Sequence, residues 1–293
     1  MKSGNKDVAS FILSVVWLLL AAAPGLQAGS PTFTSYDAPG ATQTSLTAIN
    51  NGGKMVGSYT GSDGVTHALL LVQGKFTQID VPGAFATVAE GINDAGQITG
   101  FYSSGQTDHG YFLENGNFTN IDFPGAVTTE NGGINNPGQT VGLYDDVNGN
   151  THGYLLDDGT YTTVDFPAAV MTVVININNP GHLAGISKSA DSTLHGFVLI
   201  DGTFTTVDFP GATSTEVFGI SDSGRLVGRY ALNGQDPVLA GHGFLLNKGA
   251  FTSFDFPAAS ATTPLDINDA GQVVGFYHDA NGNEHGFVAS GLR

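Results

Sequence analysis

The chain has 293 residues and a formal net charge of −17, from 26 acidic and 9 basic side chains. This charge excludes nucleic acid and anionic membrane surfaces as partners, because like charges repel them before contact. Charged residues make up only 12% of the chain, hydrophobic residues 41%, and glycine occurs 42 times, a composition that excludes a coiled coil or a disordered polyelectrolyte and favours short strands joined by tight turns.

Residues 1–28 are interpreted as a secretory signal peptide and residues 29–293 as a single mature domain. Lys2 and Lys6 precede an apolar run from Phe11 to Ala23, and small residues follow it. The run is shorter than the roughly 18 to 20 residues that span a bilayer. We therefore expect cleavage and no membrane span in the mature protein; an uncleaved anchor is the alternative. Cysteine is absent, and an exported chain without disulfides fits a bacterial periplasm or exterior.

Sequence phrases recur about every 43 residues from Phe33 onward, in six copies that fill the mature chain. The first phrase is Phe-Thr-x-x-Asp-x-Pro, and its acids are Asp37, Asp80, Asp122, Asp165, Asp208 and Asp255. The second is a histidine followed by glycine or alanine, at His67, His109, His152, His195, His242 and His285. The third is Ile-Asn before a turn, with Ser221 replacing the asparagine in the fifth copy. Such self-similarity predicts a repeat architecture.

The sequence of each copy predicts four short strands and no helix, and the second copy is an example. Its strands are predicted at residues 89–93, 97–102, 109–113 and 118–123. An Asn-Asp-Ala-Gly turn and an Asn-Gly pair separate them, and Pro124 ends the fourth strand. Four strands in 40 to 45 residues are typical of a β-propeller blade.

The ends of the chain predict how the ring closes. The mature chain opens with a lone fourth strand, residues 33–37, and ends after a lone third strand, residues 285–289. Pairing these two would complete the sixth blade and remove an open sheet edge. We therefore predict an all-β, six-bladed β-propeller with four strands per blade, in which the N-terminal strand closes the last blade. An open β-solenoid is the alternative.

The histidines and aspartates that occur in all six copies are predicted to be structural. A residue that the ring presents six times does not mark one active site, so we expect a His–Asp hydrogen bond within each blade. Six zinc sites are the rival hypothesis, but one histidine and one carboxylate per blade fall short of zinc's three or four protein ligands.

These repeats resemble those of the bacterial extracellular HAF-repeat proteins, named for a His-Ala-Phe tripeptide that follows an Ile-Asn turn and a Gly-x-Val-Val-Gly stretch. The resemblance covers all six copies, with residues 91–97 and 272–275 among the closest. The tripeptide itself departs from the name: residues 67–69 read His-Ala-Leu, and the other copies read His-Gly-Phe or His-Gly-Tyr. The resemblance implies a secreted, propeller-like repeat protein and brings no catalytic residues.

Some copies carry an acidic residue at or just before the first strand, and these acids are candidate ligand-binding residues. We expect the first strand of each blade to line the central channel. The acids are Glu90, Glu130, Glu216 and Asp266. If the four carboxylates converge, they should raise one another's pKa or hold a cation; the alternative is four separately solvated acids. A carboxylate pair could also serve glycoside chemistry. The variable loops of the ring emerge on the face where these strands begin, so function is expected there.

Two loops suggest calcium as a hypothetical cofactor. Oxygen-bearing residues alternate around a glycine at Asp146, Asn148 and Asn150, and again at Asp279, Asn281 and Asn283. Neither loop has the acid that completes a calcium-binding loop, and Asn-Gly is also a common turn.

The sequence as a whole favours a secreted or periplasmic, monomeric binding or surface-interaction module rather than an enzyme. Its partner would be a carbohydrate, a peptide or an envelope component. The alternative is a propeller hydrolase or lyase that acts on sugars or lactones with acids at the channel mouth.

Overall fold

A computed structural model describes residues 30–292, and the predicted signal peptide lies outside these residues. The described chain forms six four-stranded antiparallel sheets arranged as the blades of a β-propeller. The predicted fold is therefore confirmed. No helix in this part of the chain is long and apolar enough to cross a membrane.

The blades follow one another along the chain. Blade I contains β2 (Gln43–Ile49), β3 (Met55–Thr60), β4 (Thr66–Val72) and β5 (Lys75–Gln78). Blade II contains β6 (Ala86–Ile92), β7 (Ile98–Ser104), β8 (Thr107–Glu114) and β9 (Asn117–Asn120). Blade III contains β10 (Thr128–Ile134), β11 (Thr140–Asp145), β12 (Thr151–Asp157) and β13 (Thr160–Val164). Blade IV contains β14 (Met171–Ile177), β15 (Leu183–Lys188), β16 (Leu194–Ile200) and β17 (Thr203–Val207). Blade V contains β18 (Ser214–Ile220), β19 (Leu226–Ala231), β20 (His242–Asn247) and β21 (Ala250–Phe254), with a one-turn helix α1 (Pro237–Ala240) before β20. Blade VI contains β22 (Ala261–Ile267), β23 (Val273–His278), β24 (Glu284–Ser290) and the N-terminal β1 (Thr32–Tyr36).

The two ends of the described chain share blade VI, as predicted. Strand β1 pairs antiparallel with β24, from Thr32 opposite Ser290 to Tyr36 opposite Gly286. The Phe33 ring packs 5.7 Å from the Phe256 ring, centroid to centroid. Hydrogen bonds and aromatic packing therefore close the ring without a disulfide.

Strand bounds differ from the prediction at both ends of the blade, for local reasons. The first strand of blade II begins at Ala86, three residues earlier than predicted, so Glu90 lies well inside the strand rather than near its start. The fourth strand ends at Asn120, because the Asp122 carboxylate accepts the Gly110 N–H at 3.0 Å where a fourth-strand carbonyl would otherwise pair. The extra residues of the fifth copy form α1, whose N-terminus is capped by the Asp236 side chain.

Every first strand carries a β-bulge, and the bulge explains a repeated glycine in the second strand. In blade II the bulge falls between Ala89 and Gly91, opposite Gly100. A Cβ on Gly100 would clash with the Val88 carbonyl oxygen and would lie 3.0 Å from the Tyr111 hydroxyl. Only glycine allows the two strands and the third-strand aromatic ring to approach this closely.

A closed circle of hydrogen bonds ties the blades together at the turns between first and second strands. The Asn50 side-chain amide donates to the Asn93 carbonyl at 3.0 Å, and the same bond passes from blade to blade until Asn268 donates back to Asn50 at 3.2 Å. Ser221 lacks the amide, and Arg225 takes its place by donating to the Asn268 carbonyl at 3.2 Å. The circle therefore stays complete despite the substitution in the fifth copy.

The hydrophobic core lies between neighbouring blades. In one cluster, Val56 and Ala68 of blade I pack against Ile92 and Ile98 of blade II. Aromatic stacking joins the next pair of blades, since the ring centroids of Phe123, which follows β9 of blade II, and Tyr144 of blade III lie 3.7 Å apart. The blades are thus held rigidly around a central channel that the first strands line.

Candidate functional site

The central channel holds a cavity of about 400 Å³ on the face where the first strands begin. We call it the mouth cavity. It is lined by first-strand residues, by second-strand residues that face the same way, and by Glu284 of the last blade. Carboxylate, amide and hydroxyl groups share its wall with the rings of Phe101, Phe218 and Phe276. This combination of apolar surface and a few polar groups is typical of small-ligand sites.

Two of the four predicted acids, Glu90 and Glu130, line the mouth cavity together. Burial raises the pKa of Glu90 to about 8, and the neighbouring Glu130 adds to the effect. Burial also raises the pKa of Glu130 to about 7, with further contributions from Asp108 and Asp145. Near neutral pH these carboxyls therefore hold protons that an ordinary glutamate has lost, and they can exchange protons with a ligand.

Glu216 lies in the corresponding strand of blade V but is neutralised by Arg229. The guanidinium Nε and one terminal nitrogen each donate to a carboxylate oxygen at 2.9 Å. The two side chains are 5% and 12% exposed, respectively, so this is a buried bidentate ion pair. Arg229 also lies 5.3 Å above the centre of the Phe218 ring. Glu216 is therefore engaged in the scaffold on this side of the channel.

Asp266 lies deeper, at the boundary between the mouth cavity and the opposite end of the channel. Its carboxylate accepts the Ile49 N–H at 2.9 Å, and the Asn176 amide donates to it at 2.9 Å from across the channel. Asn176 lines the mouth cavity, whereas both Asn176 and Asp266 line a space of about 70 Å³ at the turn end. Burial raises the pKa of Asp266 to about 6, although these hydrogen bonds oppose the change. The four predicted acids thus do not all converge.

Several polar groups near the mouth cavity were not predicted from the sequence. Tyr111 and Tyr154 have buried hydroxyls with no hydrogen-bond partner among residues 30–292. The Asn131 Oδ1 is likewise buried and unpaired within this range, and Asn131 lines the cavity. The signal was present in the repeats: the other four copies carry leucine or phenylalanine where Tyr111 and Tyr154 stand, and apolar residues where Asn131 stands.

Another unpredicted pair lies where blade VI borders the mouth. Glu284 lines the cavity, and burial raises its pKa. The Nε2 of His278 lies 3.8 Å from a Glu284 carboxylate oxygen. Burial lowers the pKa of His278, and the charge of Arg229 contributes. This sector therefore carries positive as well as negative groups, unlike the sector of Glu90 and Glu130.

The repeated histidines form the predicted contact in every blade, away from the mouth cavity. In blade I the Nδ1 of His67 lies 2.6 Å from an Asp80 oxygen, and in blade VI the Nδ1 of His285 lies 2.8 Å from Asp37, across the closure. The corresponding pairs are His109–Asp122, His152–Asp165, His195–Asp208 and His242–Asp255. Each links a third strand to the segment after a fourth strand, which is a scaffold position.

The two loops considered for calcium are closed by internal hydrogen bonds. The Asp146 carboxylate accepts the backbone N–H groups of Asn148 and Asn150, at 2.7 and 2.9 Å, and both side-chain amides as well. Asp279 accepts the same four bonds from Asn281 and Asn283. The bonds from Asn150 and Asn148 lower the pKa of Asp146. The asparagines thus present nitrogen donors to the carboxylate, so calcium binding here stays a hypothesis that requires the loops to rearrange.

The fold is shared with solved propeller structures of low sequence identity. The fucose-specific lectin of Aleuria aurantia, itself described as a six-bladed β-propeller, has 12% identity and a TM-score of 0.52, covering 90% of this chain and 92% of its own. AofleA of Arthrobotrys oligospora has 14% identity and a TM-score of 0.58, covering 90% and 87%. TolB of Acinetobacter baumannii has 14% identity and a TM-score of 0.56, covering 77% and 60%. No protein-family model and no curated protein matches this chain. At these identities the similarity shows the fold alone.

Proposed function

We propose that this protein is a secreted carbohydrate-binding module whose ligand enters the mouth cavity. The observation that carries the proposal is the cavity itself. Its volume of about 400 Å³ suits one or two sugar rings, and it combines three phenylalanine rings with carboxyl and amide groups on a rigid ring of blades. Aromatic rings can pack against the C–H faces of a sugar, and carboxylate and amide oxygens accept hydrogen bonds from its hydroxyls.

The propeller similarity supports the same proposal. The Aleuria aurantia structure is that of a fucose-specific lectin with a six-bladed β-propeller fold, so a six-bladed propeller is a scaffold on which sugar binding occurs. At 12% identity this chain differs from the lectin at most positions. The sugar that it binds must therefore be identified by experiment.

A glycan array followed by calorimetry on the best glycan tests the proposal. Phe101→Ala, in the cavity wall, should weaken binding at least tenfold through the loss of ring packing, a free-energy change of about 1.4 kcal/mol. Phe85→Ala is the matched control, because Phe85 lies on the same face, is 69% exposed and does not line the cavity. Equal weakening by both variants, or no glycan binding at all, would refute the proposal.

A hydrolase or lyase is the second candidate, and the Glu90–Glu130 pair is the observation that favours it. Both carboxyls line one cavity and have pKa values near neutrality, which suits a general acid and a general base. A screen on sugar and lactone substrates tests it. If turnover is found, Glu90→Gln and Glu130→Gln should abolish it, whereas in a binding module they change affinity and no product forms.

We also propose export to a bacterial periplasm or exterior and membership of the HAF-repeat family. The apolar N-terminal segment supports export, and the six repeats support the family resemblance. Mass spectrometry of the protein recovered from cell fractions tests the export, with a mature chain that starts near residue 29 as the expected result. An intact N-terminus in the membrane fraction would contradict it.

A further inference from the structure

We infer that a cavity between blades III and IV, toward the outer rim of the propeller, binds an aromatic ring that carries a hydroxyl group. The cavity has a volume of about 240 Å³, and its wall includes Phe166, Ser187, His195 and Thr206. We call it the outer cavity. None of the residues that line it also lines the mouth cavity. The inference therefore describes a second site and does not rest on the proposed function.

The first observation is a tyrosine that blade IV lacks. In the other five blades, the second-strand residue opposite the repeated histidine is a tyrosine, at Tyr59, Tyr102, Tyr144, Tyr230 and Tyr277. In blade IV the residue opposite His195 is Ser187. Because serine has no ring, the space that a tyrosine ring fills in the other blades stays open here, and the outer cavity lies at this place.

In other blades the tyrosine ring lies between two further rings. In blade III the Tyr144 ring stacks on the Phe123 ring, with centroids 3.7 Å apart and planes 5° apart. On its other side lies the His152 ring, with a centroid distance of 5.1 Å and an angle of 24°. Blades V and VI repeat both contacts. This part of the blade is therefore built to hold a planar ring.

Blade IV keeps both flanking rings although the tyrosine is absent. The Phe166 ring packs against the Phe204 ring at 5.2 Å and 70°, close to the 5.4 Å and 73° between Phe123 and Tyr161 in blade III. Phe166 therefore takes the place of Phe123. His195 is also present, and within residues 30–292 no aromatic ring stacks on it. The ring faces that a tyrosine covers in blade III thus border an open cavity in blade IV.

A hydroxyl group on the bound ring would also find a partner. In blade III the Tyr144 hydroxyl lies 2.9 Å from the Thr163 hydroxyl in the fourth strand. Thr206 occupies the position of Thr163 in blade IV and lines the outer cavity. Ser187, which is 3% exposed, adds a second hydroxyl deep in the wall. A phenol O–H group both donates and accepts hydrogen bonds, so it suits either hydroxyl.

The size and shape of the outer cavity favour one flat ring. Its volume of about 240 Å³ is below the roughly 300 to 1,000 Å³ of sites for larger ligands. A sugar ring is thicker than an aromatic ring, because its carbon atoms are tetrahedral and carry substituents above and below the ring. The walls of the outer cavity are arranged as they are around a tyrosine ring, so an aromatic ring fits them better.

Phenol and cyclohexanol are the probes that test the site, because each has one hydroxyl on a six-membered ring and only phenol is flat and aromatic. In an NMR titration, phenol should bind at least about tenfold more tightly than cyclohexanol, since only phenol stacks on Phe166 and His195. Ser187→Tyr places the tyrosine of the other blades in the cavity. It should abolish phenol binding without lowering the melting temperature. Equal binding of both probes, or unchanged phenol binding by Ser187→Tyr, would overturn the inference.

Tyr144→Ser is the matched variant, because it opens the corresponding space between Phe123 and His152 in blade III. This variant should gain a second phenol site, with Thr163 in the role of Thr206. It should also lose stability, and phenol should restore part of that loss by binding the folded state. The variant keeps the inference testable if Ser187→Tyr does not fold. A folded Tyr144→Ser protein with no additional phenol site would overturn the inference.

Free phenolic compounds and tyrosine side chains of peptides present the same ring, and N-acetyltyrosinamide separates these two sources. Binding of phenol alone supports the inference with a small phenolic compound as the ligand. Binding of N-acetyltyrosinamide as well supports it with a tyrosine side chain as the ligand. Equally tight binding of N-acetylphenylalaninamide would overturn the requirement for a hydroxyl group.

Glycan binding by Ser187→Tyr distinguishes this inference from the proposed function. The variant should bind the best glycan as the wild type does, because Ser187 does not line the mouth cavity. If Ser187→Tyr loses the glycan and the wild type does not bind phenol, the outer cavity holds a sugar. That result would overturn the inference and the location of the glycan in the mouth cavity, while carbohydrate binding itself would stand.

Discussion

Replacing Glu90 and Glu130 by glutamine should stabilise the protein at alkaline pH and leave its stability nearly unchanged at pH 5. Both folded-state pKa values lie above the ordinary glutamate value of 4.5, at about 8 and about 7. Between pH 4.5 and 8 the folded protein therefore binds more protons than the unfolded chain, and the free energy of unfolding falls as the pH rises. Glutamine removes this loss because it has no proton to release.

The size of the effect follows from the pKa values. Each pH unit between the folded and unfolded pKa corresponds to about 1.4 kcal/mol, which gives about 5 kcal/mol for Glu90 and about 3 kcal/mol for Glu130 if each titrated alone. The two contributions overlap, because the charge of Glu130 is one cause of the Glu90 value. We therefore expect the double variant to exceed the wild type by at least about 3 kcal/mol at pH 9.

Denaturant unfolding at pH 5, 7 and 9 measures this difference. Circular dichroism is the suitable signal, because the single tryptophan, Trp17, lies in the predicted signal peptide. Glu114→Gln is the control and should follow the wild type at every pH, since its carboxylate is exposed. Asp266 remains in both proteins and cancels from the comparison. If the double variant and the wild type lose stability in parallel from pH 5 to pH 9, the two carboxyls are not buried as described.

Three further predictions concern the scaffold. His152→Ala removes the contact with Asp165 and should lower the melting temperature by about 3 to 6 °C while ligand affinity stays unchanged; an unchanged melting temperature would show that the His–Asp contact is not stabilising. Arg225→Ala should destabilise the protein, because it opens the circle of hydrogen bonds between the blades. The double variant Ser221→Asn/Arg225→Gln should restore the stability, because it recreates the Asn–Gln arrangement of other copies. If the double variant stays destabilised, Arg225 stabilises the protein in another way. Calcium or a chelator should leave the melting temperature unchanged, because the Asp146 and Asp279 carboxylates are occupied by hydrogen bonds; a rise with calcium that Asp146→Asn abolishes would establish a calcium site.

The repeats predict the fold well because the fold is periodic. Each copy supplies the same turns and alternating strands, and the lone strands at the two ends specify that the ring closes between β1 and β24. Strand bounds are less predictable. In blade II the Asp122 side chain, rather than a backbone carbonyl of β9, accepts the hydrogen bond of the Gly110 N–H, so β9 ends earlier than predicted.

The candidate site is only partly predictable, because partners from other strands decide what each acid does. Glu90 and Glu130 both line the mouth cavity, but Glu216 is paired with Arg229 of the adjacent strand. Arg229 is the only basic residue at its position among the six copies, which is a signal that a comparison of second strands would reveal. Asp266 follows the bulge in β22, which moves it toward the turn end of the channel. The burial of each acid and the pairing register of its strand therefore decide which acids belong to the site, and an alignment of the repeats gives neither.

A crystal structure of the protein soaked with the glycan that binds best tests the central claim most directly. We predict that the sugar occupies the mouth cavity, packed against Phe101 and within hydrogen-bonding distance of Glu90 or Glu130. A sugar bound on the outer surface of the blades, with the mouth cavity holding only solvent, would contradict the account.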